Sequence, residues 1–201
     1  MTTKAELREM VRRRVEDTSL TAPLWDDDTL DDALADALAR YGAIVPMEER
    51  VTVTVTEGDE AITVSGLESG AAIVRVVDPS GGVVPRFEPD DGAAGQGWRW
   101  WAGAIRLALP ARAGDWVVEW RAPRRLPALD ADEMPVRSGD EAAVSLLAAA
   151  SALRVRAVDE AKRGGRGTDA LLALASAWER TGERQARARS RTVRSFVAHG
   201  G

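Results

Sequence analysis

The chain has 201 residues, 45% of them hydrophobic and 29% charged, with a net charge of -5; that is enough apolar material for one domain, or two small ones, with a real core, and it excludes a chain disordered throughout. It has no cysteine, which excludes disulfides and thiolate metal sites. The acidic balance argues against a dedicated nucleic-acid binder, no apolar run is long enough to span a bilayer, and the opening MTTKAELREMV lacks a signal-peptide hydrophobic segment, so a soluble cytoplasmic product is expected.

Thr3 followed by Glu6 is a capping-box pattern, and Leu7, Met10, Val11 and Val15 then form one apolar stripe, which predicts a first helix ringed by Arg8, Arg12, Arg13 and Arg14. The connector Thr18 to Pro23 breaks it. The stretch Leu24 to Gly42, LWDDDTLDDALADALARYG, is the firmest helix of the chain: Leu30, Ala33, Leu34, Ala37, Leu38 and Tyr41 recur at three- and four-residue steps. Asp26, Asp27 or Asp28 caps its first turn, and Gly42 is the expected left-handed stop. The basic first helix and acidic second helix form a hairpin. Their charges are read as two solvated faces, because exposed pairs contribute only about 0 to 1 kcal/mol each.

After Pro46 the period becomes alternating. Val51 to Thr56, VTVTVT, reads as a half-buried strand, Glu57-Gly58-Asp59 as a turn, and Ile62 with Val64 as its continuation. Ala72 to Val77 is an apolar strand ending at the turn cluster Asp78 to Gly82, with Val83 to Phe87 as its partner. A glycine-rich loop, Pro89 to Gly97, precedes Trp98, Trp100 and Trp101; a hairpin turning at Ala102-Gly103 leads into Ile105, Leu107 and Leu109. The turn Ala113 to Asp115 opens a last strand carrying Trp116, Val118 and Trp120, stopped by Pro123. Six or seven short strands joined by turns fit an antiparallel sandwich or small barrel.

Arg124 to Arg137 returns the chain to helix. Ser138 and Glu141 read as a second capping box, and the run through Lys162 is alanine- and leucine-rich on more than one face, as a buried helix would be. Gly164 to Gly167 ends it; Thr168 or Asp169 starts a further helix carrying Leu171, Leu174, Ala175 and Trp178, which can continue past Gly182 into an arginine-rich end. The predicted fold class is α+β: a small helical bundle from both chain ends (residues 1–46 and 124–182), an inserted antiparallel β-sandwich or barrel (47–123), and an extended basic C-terminal arm (183–201).

Catalytic chemistry finds little material. The one histidine, His199, lies two residues from the end, and without cysteine neither a nucleophile–base pair nor an ordinary zinc site can be assembled. Asp26 to Asp28 and Asp130, Asp132 and Glu133 lack calcium-loop spacing, so capping and solvated loops account for them; Gly164 to Gly167 lacks the lysine-threonine ending of a phosphate loop. No enzyme, metal or cofactor is expected. Trp98, Trp100 and Trp101 suggest an alternative, a carbohydrate- or protein-binding β-sandwich module with an aromatic platform, although alternation assigns at least some tryptophans to the sandwich core.

In its order of features the chain resembles the head-tail connector, or adaptor, proteins of long-tailed bacteriophages and gene transfer agents. The matching features are an opening helix, Trp25 with Asp26 to Asp28 and Leu30, the stripe to Tyr41 and the alternating strand after it. Further along come Gly114 to Trp120 as a late strand, Asp130-Ala131-Asp132 with Pro135 leading into the alanine-rich helix, and a basic end. The Trp98 to Trp101 segment matches nothing in that pattern.

The resemblance implies a virion protein of the neck, assembled in the host cytoplasm as a ring, usually of twelve copies, on the portal protein. A tail or stopper protein would lie beyond it, and DNA would pass through the lumen without sequence-specific binding; no membrane is involved. It also implies docking through the C-terminal segment, which makes Arg184, Arg187, Arg189, Arg191, Arg194, Phe196 and Val197 the candidate portal-binding residues. From the charge asymmetry, Asp26, Asp27, Asp28, Asp31 and Asp32 are the candidate lumen-facing acidic residues. The segment 183–201 is expected to contribute little to either core.

Overall fold

The computed structural model describes residues 2–17, 19, 23–67, 72–87, 95–165 and 167–197, with side chains to Arg189. The fold is α+β, with four helices and two antiparallel sheets among the described residues. The chain divides into two compact units, Met1–Pro46 with Arg124–Gly201, and Met47–Pro123.

In the helical unit, α1 (Lys4–Arg14) starts on the predicted capping box: the Thr3 hydroxyl accepts from the Glu6 amide at 3.2 Å, and the Glu6 carboxylate accepts from the Thr3 amide at 2.9 Å. Its other end is closed by the amides of Glu16 and Asp17, which donate back to the carbonyls of Arg13 and Arg12, the paired bonds of a Schellman turn. Glu16 sits at φ 56, a conformation usually given to glycine.

Helix α2 (Asp27–Ile44) is capped by Asp26, whose carboxylate accepts from the Thr29 amide at 2.7 Å. It does not stop at Gly42. The helix runs on to Ile44, and Gly42 serves as a gap: a Cβ there would touch the Arg124 side chain at 3.6 Å. Arg124 in turn donates to the Val45 carbonyl at 3.0 Å, one of the carbonyls a helix end leaves free.

Helix α3 (Glu141–Lys162) is the centre of this unit and packs against α1, α2 and α4 (Thr168–Val197). Residues 143 to 150 are all buried, and the small side chains of Ala143, Ser145, Ala148, Ala149 and Ala150 among them allow close approach. Leu7, Val11, Trp25, Leu30, Leu34, Leu38 and Tyr41 fill the space between α1, α2 and α3, so the predicted stripe is the core stripe. Each such large side chain contributes roughly 1.5 to 3 kcal/mol by leaving water. The N-terminus of α3 departs from prediction: Asp140, not Ser138, holds the cap position and makes no side-chain cap bond; its Oδ2 accepts from the Tyr41 hydroxyl instead.

The extended arm predicted for residues 183–201 is, through Val197, the continuation of α4. Apolar spacing causes this. Ala175, Trp178, Gly182 and Ala186 follow one another on one helix face; Ala186 is fully buried, and a Cβ on Gly182 would meet the Ala143 carbonyl at 2.9 Å and Leu147 at 3.0 Å. The first part of the supposed arm therefore belongs to the core.

The β unit is a sandwich. One sheet has the order β1-β7-β3-β4, with β1 (Met47–Val55), β7 (Gly114–Ala122), β3 (Ala72–Val77) and β4 (Val83–Val84); the other has the order β2-β6-β5, with β2 (Ala61–Ile62), β6 (Ala104–Leu107) and β5 (Trp98–Trp101). Val55, Val76, Val84, Trp116, Val118 and Trp120 from the first sheet share a core with Ile62, Trp98, Ile105 and Leu107 from the second. Register follows alternation: Val51 faces Val118 and Val53 faces Trp116 across β1 and β7. A bulge between Ile73 and Arg75 interrupts β3. The β5–β6 hairpin turns at Ala102-Gly103, both at positive φ (51 and 81), the backbone that twists a two-residue hairpin correctly. The connector Thr18 to Pro23 and the loop Pro89 to Gly97 lie largely outside the described residues.

Candidate functional site

The acidic candidates on α2 divide into three kinds. Lys4, Arg8 and Arg12 recur every four residues along α1, so they share a face, and Asp27 and Asp31 do the same on α2. The two faces meet. Arg8 binds two carboxylates as a fork: Nε and Nη2 donate to Asp31 at 2.8 and 2.9 Å, and Nη1 and Nη2 to Asp130 at 3.2 and 2.8 Å. Lys4 donates to Asp31 at 3.0 Å and lies 3.3 Å from Asp130. Arg12 donates to Asp17 and to Asp27, both at 2.6 Å. Lys4 and Arg8 are buried. The two solvated faces read from the sequence are thus one interlocked ion-pair network, joined by Asp130 from the segment before α3.

Its electrostatics follow from the bonds. The Lys4 ammonium is held above its usual range by its hydrogen bond to Asp31, against the opposing effect of burial. The Asp130 carboxyl is held below the usual carboxylate range, first by the bond from Arg8 and then by that from Lys4. Asp26 is lowered by its cap bonds from Thr29. Of the five candidate lumen-facing residues, Asp27 and Asp31 are therefore tied into the network and Asp26 is a cap. Asp28 and Asp32 alone of the five are exposed with neither an ion pair nor a cap bond among the described residues.

The C-terminal candidates are also unequal. Arg184 is exposed, Arg187 pairs within its own helix with Glu183 at 2.9 Å, and Arg189 lies 3.5 Å from Asp140. The side chains of Arg191, Arg194, Phe196 and Val197 lie outside the described residues, as does His199. Arg189 leads into a polar centre that the sequence did not reveal. The buried Tyr41 hydroxyl donates to Asp140 Oδ2 at 2.6 Å, and the Arg124 guanidinium lies 4.9 Å over the Tyr41 ring. Arg124 also donates to the Pro135 carbonyl. Burial, then the bond to Asp140, pushes the Tyr41 phenol up to about 12. Asp140 Oδ1 is buried and makes no hydrogen bond among the described residues; Arg189 and Arg124 are its nearby counter-charges. Gly139, at φ 88, leaves the room that Arg189 occupies; a Cβ would overlap Nη1.

On the β unit, the three tryptophans of the alternative reading do not form a platform. Trp98 is buried, its indole N–H donating to the Val84 carbonyl at 3.1 Å. Trp100 and Trp101, as neighbours on a strand, point to opposite faces. Trp101 is 61% exposed and stacks against Arg99, whose guanidinium carbon lies 5.6 Å from its ring centre and 5.7 Å from that of Phe87. Elsewhere on this unit a shallow hollow of about 290 Å³, lined by Glu48, Glu49, Arg50, Val74, Glu119 and Trp120, opens beside the β3 bulge.

Among the described residues, no group of three or more histidine, cysteine or acidic side chains is placed to hold a metal ion, and no helix is long and apolar enough to cross a membrane. What the surfaces offer chemically is charge and shape: exposed arginine on α4, exposed aspartate on α2, and an arginine–tryptophan face on the β5–β6 hairpin. No protein-family model matches the chain, and no curated protein matches it.

Proposed function

We propose that this chain is a structural head-tail adaptor: it docks on a portal ring through the end of α4, assembles with copies of itself around a DNA channel, and works by position, without chemistry. The observation that supports this most is the convergence of the residues on which the family resemblance rests. Trp25, Leu30 to Tyr41, Asp130 and the alanine-rich α3 come from distant parts of the chain and build one helical unit around a single core and ion-pair network. The β unit is inserted between the two halves of that unit. A pattern that recurs because it holds a scaffold would have this property.

The internal packing also sharpens where docking would occur. Ala186 and Arg189 are committed to the helical unit, so the docking segment is residues 190–201 together with exposed Arg184. Co-sedimentation of the chain with its portal ring, with and without residues 190–201, tests this. Saturable binding that depends on the segment is expected. Absence of binding to an intact portal, by a folded chain, overturns the adaptor reading.

A further inference from the structure

On the β5–β6 hairpin, Arg99 and Arg106 are direct cross-strand partners. Both lie on the face opposite the buried Trp98, Ile105 and Leu107, and neither has an ion pair among the described residues. Like charges placed directly opposite repel and weaken the hairpin that carries them. The Arg99 guanidinium is held between Phe87 and Trp101, and its Nε is buried without a hydrogen-bond partner. Trp101, on the same face, is the most exposed tryptophan of those described. An aromatic ring beside two cations that no anion among the described residues pairs is a surface suited to an anionic counterpart.

The chain itself presents such a counterpart. Asp28 and Asp32 are exposed acids of the first turns of α2 that no cation among the described residues engages. Standing four residues apart, they are neighbours on the helix, about 5 to 6 Å between Cβ atoms; directly opposed residues such as Arg99 and Arg106 are separated by about 4.5 to 5.5 Å. Just before them stands Leu24, 58% exposed, with its backbone fixed by donation of its amide to Asp17 at 2.7 Å. The two acids complement the two arginines in charge and in separation, and an exposed apolar side chain stands beside each pair.

We propose that the β5–β6 face of one copy docks on the first turns of α2 in a second copy, with Arg99 and Arg106 meeting Asp28 and Asp32 and Trp101 covering Leu24. Because the two surfaces differ, the contact is heterologous: a copy joined through one surface keeps the other free, so association can propagate, and it closes a ring where the rotation between copies returns to its start. The proposal rests on the self-assembling adaptor reading and deepens it by naming the surface through which copies join. It also moves Asp28 and Asp32 from a channel wall to a subunit contact.

The absence of cysteine makes the test direct. Leu24→Cys and Trp101→Cys chains are mixed under mild oxidation, free at high concentration and bound to the portal ring, and disulfide-linked heterodimers are quantified against a Leu24→Cys plus Thr52→Cys control. Heterodimers well above the control are expected. Their loss is expected when Arg99 and Arg106 are changed to Glu in one chain, with recovery when Asp28 and Asp32 are changed to Arg in the other. A yield equal to the control, or reversal without effect, overturns the contact, and portal co-sedimentation on the same samples shows separately whether the adaptor reading stands. Binding of single-stranded DNA that disappears with the Arg99→Glu, Arg106→Glu pair, without cross-linking, overturns it in favour of a nucleic-acid surface.

Discussion

Tyr41 is the only tyrosine in the chain, so tyrosinate absorbance reports it alone. Its phenol is fully buried, donates to Asp140 and has its pKa pushed up from 10.0 to about 12, because burial and the adjacent carboxylate both penalise a second negative charge. The sign for stability follows. The folded state favours the protonated phenol, so this contribution is complete below pH 10 and is lost as pH rises through the folded value near 12. Two pK units correspond to about 2 to 3 kcal/mol. In Tyr41→Phe that alkaline loss should vanish, while stability at neutral pH falls by about 1.5 to 3 kcal/mol, the usual worth of a hydrogen bond to a charged group. Asp140 would then lose its hydrogen-bond donor and keep the charges of Arg189 and Arg124 nearby. The assay is an absorbance titration with far-UV circular dichroism followed at each pH, alongside urea unfolding of both proteins at neutral and alkaline pH. A tyrosine that titrates near 10 while the helices are intact, or a Tyr41→Phe protein with the same alkaline loss as the parent, would refute the reasoning.

Arg8→Met should cost about 2 to 3 kcal/mol in urea unfolding, below the 3 to 5 kcal/mol of a fully buried broken pair, since Lys4 still bonds Asp31 and Asp130 is mostly exposed. The difference from the parent should shrink in acid, because the Asp130 contribution is present above the ordinary carboxylate range and is lost as pH falls through its lowered folded value; a cost that stays constant into acid would count against ion pairing as its source. Glu16→Gly should stabilise by roughly 0.5 to 1 kcal/mol, as relief of the positive φ outweighs the added freedom of the unfolded chain. Thermal unfolding would register this as a rise of about 2 to 4 °C per kcal/mol for a chain of this size, and a lower midpoint would contradict it.

The parts of the fold legible in the sequence are those governed by local period. The Leu30 to Tyr41 stripe, the alternation of Trp116, Val118 and Trp120, and the turn at Ala102-Gly103 each carry their instruction within a few residues, and each stands where its spacing places it. What the local pattern missed depends on partners far along the chain. Gly42 looks like a helix stop until Arg124 is found passing over it, and Asp140 looks like a bystander to Ser138 until Tyr41 is found donating to it. The charges of the first two helices are the clearest instance. Their four-residue repeats suggest pairing, but the network also needs Asp130, which joins Arg8 and Lys4 from the far side of the β unit in sequence.

The boundary of the C-terminal segment had a sequence signal of its own. An arginine-rich composition draws the boundary at residue 183, where charge begins to dominate; the apolar and small residues draw it later, because Ala175, Trp178, Gly182 and Ala186 continue one stripe by steps of three and four. Packing follows the stripe. Gly182 lies against Ala143 and Leu147, Ala186 is buried, and Arg189 reaches Asp140. A deletion beginning at residue 183 therefore removes core as well as docking surface, and loss of binding in such a protein would not distinguish the two. One beginning at residue 190 retains Ala186 and Arg189, so the helical unit should unfold as in the parent while any function of the basic end is lost.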